Sequence, residues 1–207
     1  MFDLDGTLAN TGQDLADAVN YTRAHFNLPG IPEPLVYAQV GHGVEYLLKH
    51  SLPEETPDRF AEVMRVFLDR YENHLLDATT LYPDVAETLQ RFAGKKKAVV
   101  TNKTHRFAIA ILRGLAIHDQ FDAIIGGDSV GQKKPHPAVL NHILTRFDFD
   151  AGRAAIIGDA DVDVQAGKAA GVMTCGVSYG LGNFDQLVAA GPDFMVDSFG
   201  YLLRCFY

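Results

Sequence analysis

Cysteines and basic residues are scarce in this sequence, and long hydrophobic runs are absent. The two cysteines, Cys175 and Cys205, form neither a disulfide framework nor a metal-binding spacing, so we expect free thiols in a reducing compartment. Lysine and arginine number 18 against 26 aspartates and glutamates, a net charge of −8 that argues against nonspecific binding to nucleic acid or to an anionic membrane. No apolar run approaches the ~20 residues of a membrane span, and no secretory leader opens the sequence. We therefore expect a soluble cytoplasmic protein.

Repeats, low-complexity segments and zinc-binding histidine pairs are absent as well. None of the eight histidines lies four residues from another, as a zinc-binding helix face would require. The 207 residues are 47% hydrophobic, which is enough to fill a sizeable core. A chain of this length is typically about one domain, or one domain with an insertion.

Residues 12–80 have the pattern of helices without a convincing strand. Apolar residues recur at helical spacing in TGQDLADAVNYTRAHF, where Thr11 is available as the N-cap, and again in TPDRFAEVMRVFLDRYENHL. Between them, LPGIPEP breaks the chain, and VGHGVEYLLKHS is predicted to be a loop that leads into a helix. These patterns predict an all-helical segment.

From about residue 81 onward, short β-branched runs alternate with helical stretches. The predicted strands are 97–101, 123–126, 154–159, 173–177 and 194–196. Strands separated by helices of this length imply parallel crossovers in a doubly wound sheet, and FDLD at the N-terminus is expected to be one more parallel strand. The predicted fold class is therefore α/β, a Rossmann-like parallel sheet core (1–11 and 81–207) with an inserted all-helical cap domain (12–80).

Polar residues follow several of the predicted strands. In open parallel sheets, ligands bind in the crevice outside the carboxyl ends of the strands. The residues at those ends are Asp3 and Asp5 in FDLD, Thr101 and Asn102 in AVVTNK, and Asp159 in AIIGD. GQKKPHP follows a further strand after a short loop. Their coincidence at one edge of the sheet predicts a single site.

Four stretches carry a resemblance to a known family. DLDGTL, VVTNK, KKPHP and IGDADVDVQAGKAAG resemble, in order, the four motifs of the haloacid dehalogenase-like superfamily of phosphotransferases. The helical insertion after the first motif resembles its helical-cap subgroup, and FDLDGTL with VTNK and KKPHP is most similar to phosphoglycolate phosphatases. The resemblance implies a Mg²⁺-dependent phosphatase that hydrolyses a small organic phosphate monoester, with 2-phosphoglycolate as the best guess. It also implies an aspartyl-phosphate intermediate and a monomeric or homodimeric enzyme.

Within that resemblance, Asp3 is the expected nucleophile and Asp5 the general acid and base. Residues two apart lie on the same face of a strand, so both carboxylates can face the same substrate. A nearby carboxylate and restricted solvent would keep a proton on Asp5. Lys134 directly precedes the proline of KKPHP and is expected to offset the charge of Asp3 and the phosphoryl group, whereas Lys133 faces solvent. Thr7 is expected to hold the turn after Asp5.

The resemblance also implies a magnesium site. The expected ligands are the Asp3 carboxylate, the Asp5 backbone carbonyl and Asp159, an oxygen set that suits this hard cation. Asp163 would anchor a metal-bound water or the active-site lysine. By spacing alone Asp161 rivals Asp163, and the alternative is that Asp161 caps the helix that begins nearby.

Substrate contacts are expected from two further stretches. Thr101 and Asn102 fit a clamp for phosphate oxygens, although a strand-to-helix cap is the simpler alternative for them. In VGHGVEY of the cap, Gly41 and Gly43 would leave room for a small substrate and bring His42 within reach. A lone histidine is more often structural or exposed, and that alternative stays open.

Two other functions fit the same motifs. A sugar phosphomutase of the β-phosphoglucomutase type would keep its aspartyl-phosphate long enough to donate it again, and spacing does not exclude it. A non-catalytic binding protein on the same scaffold is the second alternative, although five intact motif residues argue against it.

Only Met1 and Phe2 precede Asp3. A strand rises about 3.3 Å per residue, so the α-amino group would lie close to the sheet interior, where an unpaired charge is costly. Either this amine reaches water or a partner, or the natural chain carries upstream residues. We favour upstream residues as the hypothesis.

Overall fold

The computed structural model describes residues 1–53 and 59–206 of the chain. The helices are Gly12–His25 (α1), Glu33–Tyr37 (α2), Val44–Ser51 (α3), Phe60–His74 (α4), Val85–Arg91 (α5), His105–Gly114 (α6), Ala138–Phe147 (α7), Asp161–Ala170 (α8), Phe184–Ala190 (α9) and Leu202–Cys205 (α10). The strands are Ala9–Asn10 (β1), Thr80–Leu81 (β2), Ala98–Val100 (β3), Ala123–Ile125 (β4), Ala155–Gly158 (β5), Met173–Val177 (β6) and Phe194–Val196 (β7). No helix in these two ranges combines the length and the apolar character that a bilayer crossing requires.

The N-terminal segment lies at the centre of a parallel sheet. Phe2 bridges in parallel to Val99 of β3 on one side and to Ile157 of β5 on the other. The amide of Phe2 donates to the carbonyl of Ala98, and the amide of Asp3 donates to the carbonyl of Ile157, each at 2.9 Å. Outside this centre β4 pairs with β3, β6 with β5 and β7 with β6, all in parallel. The expectation of a parallel α/β sheet that includes the N-terminal residues is confirmed.

Both faces of this sheet are covered by helices. Val99 and Ile157 belong to a large hydrophobic cluster that includes residues of α5, α6 and α10. Val100 and Ile156 belong to a second cluster that includes residues of α7 and α8. Neighbouring residues of a strand point to opposite faces, so a strand covered on both sides needs apolar residues at every position. This explains the unbroken apolar runs in the sequence.

The cap consists of α1–α4, inserted between the two strands of a short ribbon. Ala9 pairs with Leu81 and Asn10 with Thr80, antiparallel, so the chain leaves and re-enters the core side by side. Helix α1 packs on α4, and the buried faces of these helices join the larger hydrophobic cluster of the core. The inserted helical cap predicted from the sequence is present, while its boundaries at 12 and 80 remain a prediction.

Short elements differ from the prediction more than long ones do. LPGIPEP was expected only to break the chain, but α2 begins inside it because proline is tolerated in the first turn of a helix. Helix α9 was not predicted, although Asn183 accepts a hydrogen bond from the amide of Gln186 and so caps its start. Both helices span fewer than eight residues, which is too short for a clear 3.6-residue period.

Candidate active site

Asp3 and Asp5 lie at the carboxyl end of the central strand, and both are buried. Gly6 follows with a φ of +80°, a left-handed conformation that turns the chain sharply. A Cβ at this position would overlap the carboxylate of Asp159, so glycine is needed for space as well as for the turn. The turn therefore places the first motif against the carboxyl end of β5.

Lys134 is fully buried between two carboxylates. Its Nζ lies 2.9 Å from Asp3 Oδ1 and donates a hydrogen bond to Asp163 Oδ1 at 2.6 Å. Burial opposes the charged amine, but Asp163 and Asp3 outweigh that cost and raise the pKa of Lys134 above its usual range. Burial also raises the pKa of Asp163, against the effect of Lys134. The short charge-assisted contact favours an ion pair.

Asp159 lies beside this pair and is held by the chain around it. Its Oδ1 accepts a hydrogen bond from Thr7 Oγ1 at 3.0 Å, and its Oδ2 accepts from the amides of Leu181 and Gly182 at 2.9 Å each. Burial, followed by the charge of Asp3, raises the pKa of Asp159 to about 7. The Thr7 hydroxyl, which was expected to hold the turn after Asp5, therefore positions the carboxylate of Asp159 on the other side of the site.

Three buried carboxylates could hold a metal ion. Oxygens of Asp3, Asp159 and Asp163 all lie within 4.8 Å of one another. Among the described residues, the Lys134 ammonium at 2.9 Å is the one close partner found for Asp3 Oδ1. A buried carboxylate oxygen with a single close partner, next to two further carboxylates, fits a hard divalent cation, which binds oxygen ligands.

The side chain of Asn102 connects the cap to the segment that carries Lys134. Its side-chain nitrogen donates to the carbonyls of Gly41 and Lys134, and its side-chain oxygen accepts from the amide of Lys134, all at 2.9 Å. Its amide group is therefore fully engaged, and the Thr101 hydroxyl accepts from the amide of Lys103 at 3.2 Å. Both residues line a cavity next to Asp3.

Of the three cap residues expected to read the substrate, the structure places two at this cavity. Gly41 and Gly43 line it, each with positive φ, and a Cβ on Gly43 would come within 3.3 Å of the Asn102 carbonyl. The ring of His42 instead lies against Tyr46, 4.4 Å between centroids, and its Nε2 is 3.5 Å from Asp161.

Two helix caps considered from the sequence, the available Thr11 and the alternative role of Asp161, are not formed. Helix α8 begins at Asp161 itself, and the residue before it is Ala160. At the N-terminus of α8 the carboxylate of Asp163 accepts a hydrogen bond from the amide of Ala160 instead. Thr11 does precede α1, but its hydroxyl does not cap the helix. It donates to Asp5 Oδ1 at 2.6 Å, because a buried carboxylate is the stronger acceptor.

Sequence reasoning missed Lys103. Its Nζ donates to both carboxylate oxygens of Asp5, at 2.8 and 3.1 Å, and its side chain is only 5% exposed. Asp5 outweighs the cost of burial and raises the pKa of Lys103 above its usual range. Its position directly after Thr101 and Asn102 could have indicated that Lys103 lies at the site. No local pattern, however, indicates that this lysine reaches Asp5.

The sequence of this chain is similar to those of known phosphatases. Residues 1–177 match the family model described as haloacid dehalogenase-like hydrolase. The phosphoglycolate phosphatase of Haemophilus influenzae is 36% identical over 212 residues, covering 98% of this chain and 95% of that protein. The phosphoglycolate phosphatase of Colwellia psychrerythraea is 35% identical, with 98% and 94% covered.

A solved structure agrees over nearly the whole chain. The crystal structure of a predicted phosphoglycolate phosphatase from Haemophilus somnus 129PT superposes with a TM-score of 0.92 at 32% identity. The match covers 99% of this chain and 95% of that one. The similarity therefore includes both the sheet core and the inserted helices.

Proposed function

The chain belongs to the haloacid dehalogenase-like hydrolase family, and we propose that it hydrolyses a small phosphate monoester, 2-phosphoglycolate being the best candidate. It is a phosphoric monoester hydrolase of the phosphoglycolate phosphatase-like kind. The observation that carries the proposal is the surroundings of Asp3: a buried ammonium lies 2.9 Å from its carboxylate, oxygens of two further buried carboxylates lie within 4.8 Å, and a second aspartate follows two residues on.

In the proposed reaction Asp3 attacks phosphorus as the ester P–O bond breaks, which leaves an aspartyl-phosphate and an alkoxide. Asp5 is the proposed proton donor to that alkoxide and afterwards takes a proton from the water that hydrolyses the intermediate. Lys103 and Thr11 both donate to the Asp5 carboxylate in this structure, so Asp5 would take up the proton it donates when the substrate binds. Lys134 offsets the charge of Asp3 and of the phosphoryl oxygens throughout. Free Asp3, inorganic phosphate and the alcohol are the products.

Magnesium is the proposed cofactor, held by Asp3 and Asp159 with the Asp5 carbonyl as a further ligand. When bound, it would supply positive charge next to the phosphoryl oxygens. Asp163 has its carboxylate engaged with Lys134, so we propose that it fixes the lysine and leaves direct coordination to the other two aspartates.

The phosphate group would lie between Asp3 and the start of α6. Because the side chain of Asn102 is engaged with backbone groups, its contribution to a phosphate clamp falls to its backbone, and Thr101 contributes its hydroxyl. The cap loop at Gly41 and Gly43 closes the site from above. Closure of this kind excludes water from the reaction.

The space available favours a small leaving group. The cavity next to Asp3 and Asp5 has a volume of about 40 Å³, room for roughly two or three water molecules. A cavity of this size favours a small leaving group over a hexose and gives no specific support to a sugar phosphomutase. A cytoplasmic, monomeric or homodimeric enzyme, with 12–80 as the cap, completes the proposal.

The test is a screen of small phosphorylated metabolites with Mg²⁺, comparing wild type with Asp3→Asn. We expect hydrolysis of 2-phosphoglycolate that disappears in the variant and on chelation of the metal. Asp119→Asn is the matched control, since that side chain is fully exposed and lies outside the four motifs. Turnover that survives both Asp3→Asn and chelation would contradict the mechanism, and a long-lived phosphoenzyme that converts a hexose 1-phosphate would favour the mutase.

A further inference from the structure

The carboxylate of Asp5 is held in place by two buried side chains. Lys103 Nζ donates to both of its oxygens, at 2.8 and 3.1 Å, and Thr11 Oγ1 donates to Oδ1 at 2.6 Å. Hydrogen bonds to an ionised carboxylate are stronger than those between neutral groups, so these contacts leave the Asp5 side chain little freedom to rotate. Any group that fixes the ammonium of Lys103 therefore also fixes the orientation of Asp5.

The ammonium of Lys103 has a further partner in the cap. It hydrogen-bonds to the hydroxyl of Tyr71 on α4 and lies 4.8 Å from the centroid of that ring. A lysine ammonium has three N–H donors, and the contacts with the two oxygens of Asp5 and with Tyr71 account for all three. Burial raises the pKa of the phenol to about 12, so its oxygen is a neutral acceptor at neutral pH. Without this hydroxyl, one donor of a buried ammonium would lose its partner.

The ring of Tyr71 is packed on both sides of the boundary between cap and core. It is 1% exposed, stacks on Phe67 with 5.6 Å between centroids, and meets Phe107 of α6 edge-on at 5.5 Å. Packing of this kind needs only the ring, whereas a buried hydroxyl is costly unless it makes a hydrogen bond. The hydroxyl of Tyr71 therefore has a role apart from packing, at the wall of the cavity that Lys103 also lines.

We propose that Lys103 and Tyr71 are positioning residues for proton transfer: the hydroxyl of Tyr71 fixes the Lys103 ammonium, and this ammonium holds the carboxylate of Asp5 towards the leaving group. The inference rests on the proposed function, in which Asp5 protonates that group. Lys134, the partner of Asp3, follows β4 in the core, whereas Tyr71 belongs to the cap. Proton transfer by Asp5 therefore depends on Tyr71 more than attack by Asp3 does.

Two small esters that differ in their need for a proton separate these steps. Ethyl phosphate releases an alkoxide, which needs the proton from Asp5, whereas acetyl phosphate releases acetate, a stable anion that does not. The two leaving groups are similar in size, and neither carries a further charge. Since kcat/KM covers the steps up to departure of the leaving group, hydrolysis of the aspartyl-phosphate does not enter it. The measured quantity is kcat/KM for ethyl phosphate divided by kcat/KM for acetyl phosphate, each corrected for the rate with Asp3→Asn.

Tyr71→Phe keeps the packed ring and should lower this ratio on the order of tenfold, as expected for the loss of one hydrogen bond to a charged group. Tyr21→Phe is the matched control, since Tyr21 is half-exposed on α1 and should leave the ratio as in wild type. Lys103→Met should lower the ratio further, because it removes the group that contacts Asp5 directly. If Lys103 acted through its charge alone, its loss would favour protonated Asp5 and raise the ratio.

An unchanged ratio in Tyr71→Phe would overturn the inference, and so would a raised ratio in Lys103→Met. Purely structural damage lowers kcat/KM for both esters alike, leaves the ratio unchanged and counts against the inference in the same way. Asp5→Asn tests the proposed function separately and should lower the ratio at least as far as Lys103→Met. A wild-type ratio in Asp5→Asn, or no Asp3-dependent turnover of either ester, would remove the proposed mechanism itself.

Discussion

Replacement of Lys134 by methionine tests the electrostatic design of the site most directly. The lysine is enclosed by carboxylates, with Asp163 at 2.6 Å and Asp3 at 2.9 Å, and Asp159 belongs to the same cluster. Methionine has a similar length and an apolar tip, so it fills most of the same space without leaving a large cavity. The main change is the loss of one positive charge from among three buried acidic groups.

Removal of one partner from a buried ion pair typically costs about 3–5 kcal/mol. We therefore expect Lys134→Met to lower the free energy of unfolding by about 3–5 kcal/mol at neutral pH without metal, and to abolish phosphatase activity. The pKa of Lys134 is raised in the folded protein, so its stabilisation is complete below the unfolded pKa and disappears only as pH rises through the folded pKa. Between about pH 5 and 8 the lysine stays charged.

The pH dependence of the loss should come from the carboxyl groups. Without Lys134 they take up protons more readily, so the loss in stability should shrink as the pH falls towards about 5. Urea denaturation in the presence of a chelator measures the free energy of unfolding of wild type and Lys134→Met at each pH. Lys133→Met is the matched control because that neighbouring lysine is exposed. A surface substitution should stay within about 0.5 kcal/mol. Equal stabilities of the two variants would refute the reasoning.

Three further predictions follow from the same contacts. The raised pKa of Asp159 means that its charge destabilises the metal-free fold increasingly as pH rises from about 4 to 7. Mg²⁺ should therefore raise Tm more at about pH 8 than at about pH 5.5. Equal Tm shifts at the two pH values would argue against Asp159 as a metal ligand. Gly6→Ala should cost at least about 1–2 kcal/mol in urea denaturation and abolish activity, because of its positive φ and the overlap with Asp159; Gly94→Ala, where a Cβ meets nothing within 4 Å, is the control. Burial raises the pKa of Cys175 to about 12, so in a thiol-reagent titration at about pH 8 only the partly exposed Cys205 should react before guanidinium is added; two fast thiols in the native protein would contradict the buried position.

Local pattern was sufficient for most regular elements of the core. The strand at 173–177 and the strand at 194–196 coincide with β6 and β7, and those predicted at 97–101, 123–126 and 154–159 extend one residue beyond the observed strands at one or both ends. Of the predicted FDLD strand, Phe2 makes the parallel bridges to β3 and β5. Strands buried on both faces must be apolar throughout, and helices of ten residues or more show their period, so both signals are carried by neighbouring residues. The topology rule for parallel sheets then brought Asp3, Thr101 and Asp159 to one edge.

The contacts that make this edge a site are set by residues far apart in the chain. Asp5 meets Lys103 across 98 positions, and Thr7 meets Asp159 across 152. No local pattern indicates which of these side chains point at one another, which is why Lys103 was missed and the hydroxyl of Thr11 was assigned to a helix cap.

The sequence by itself determined the α/β class, the helical insertion and the identity of the four motif segments, because these depend on periodicity and on short spacings. Only the tertiary structure decided what holds the first motif. Its strand is formed by hydrogen bonds to β3 and β5 on both sides, and the Met1 amine donates to the carbonyl of Ala155 at 2.7 Å. The charges of Asp3 and Asp5 are each offset by a different buried lysine, Lys134 and Lys103. Such pairings arise from the packing of separate segments, and packing brings together residues that no stretch of sequence places side by side.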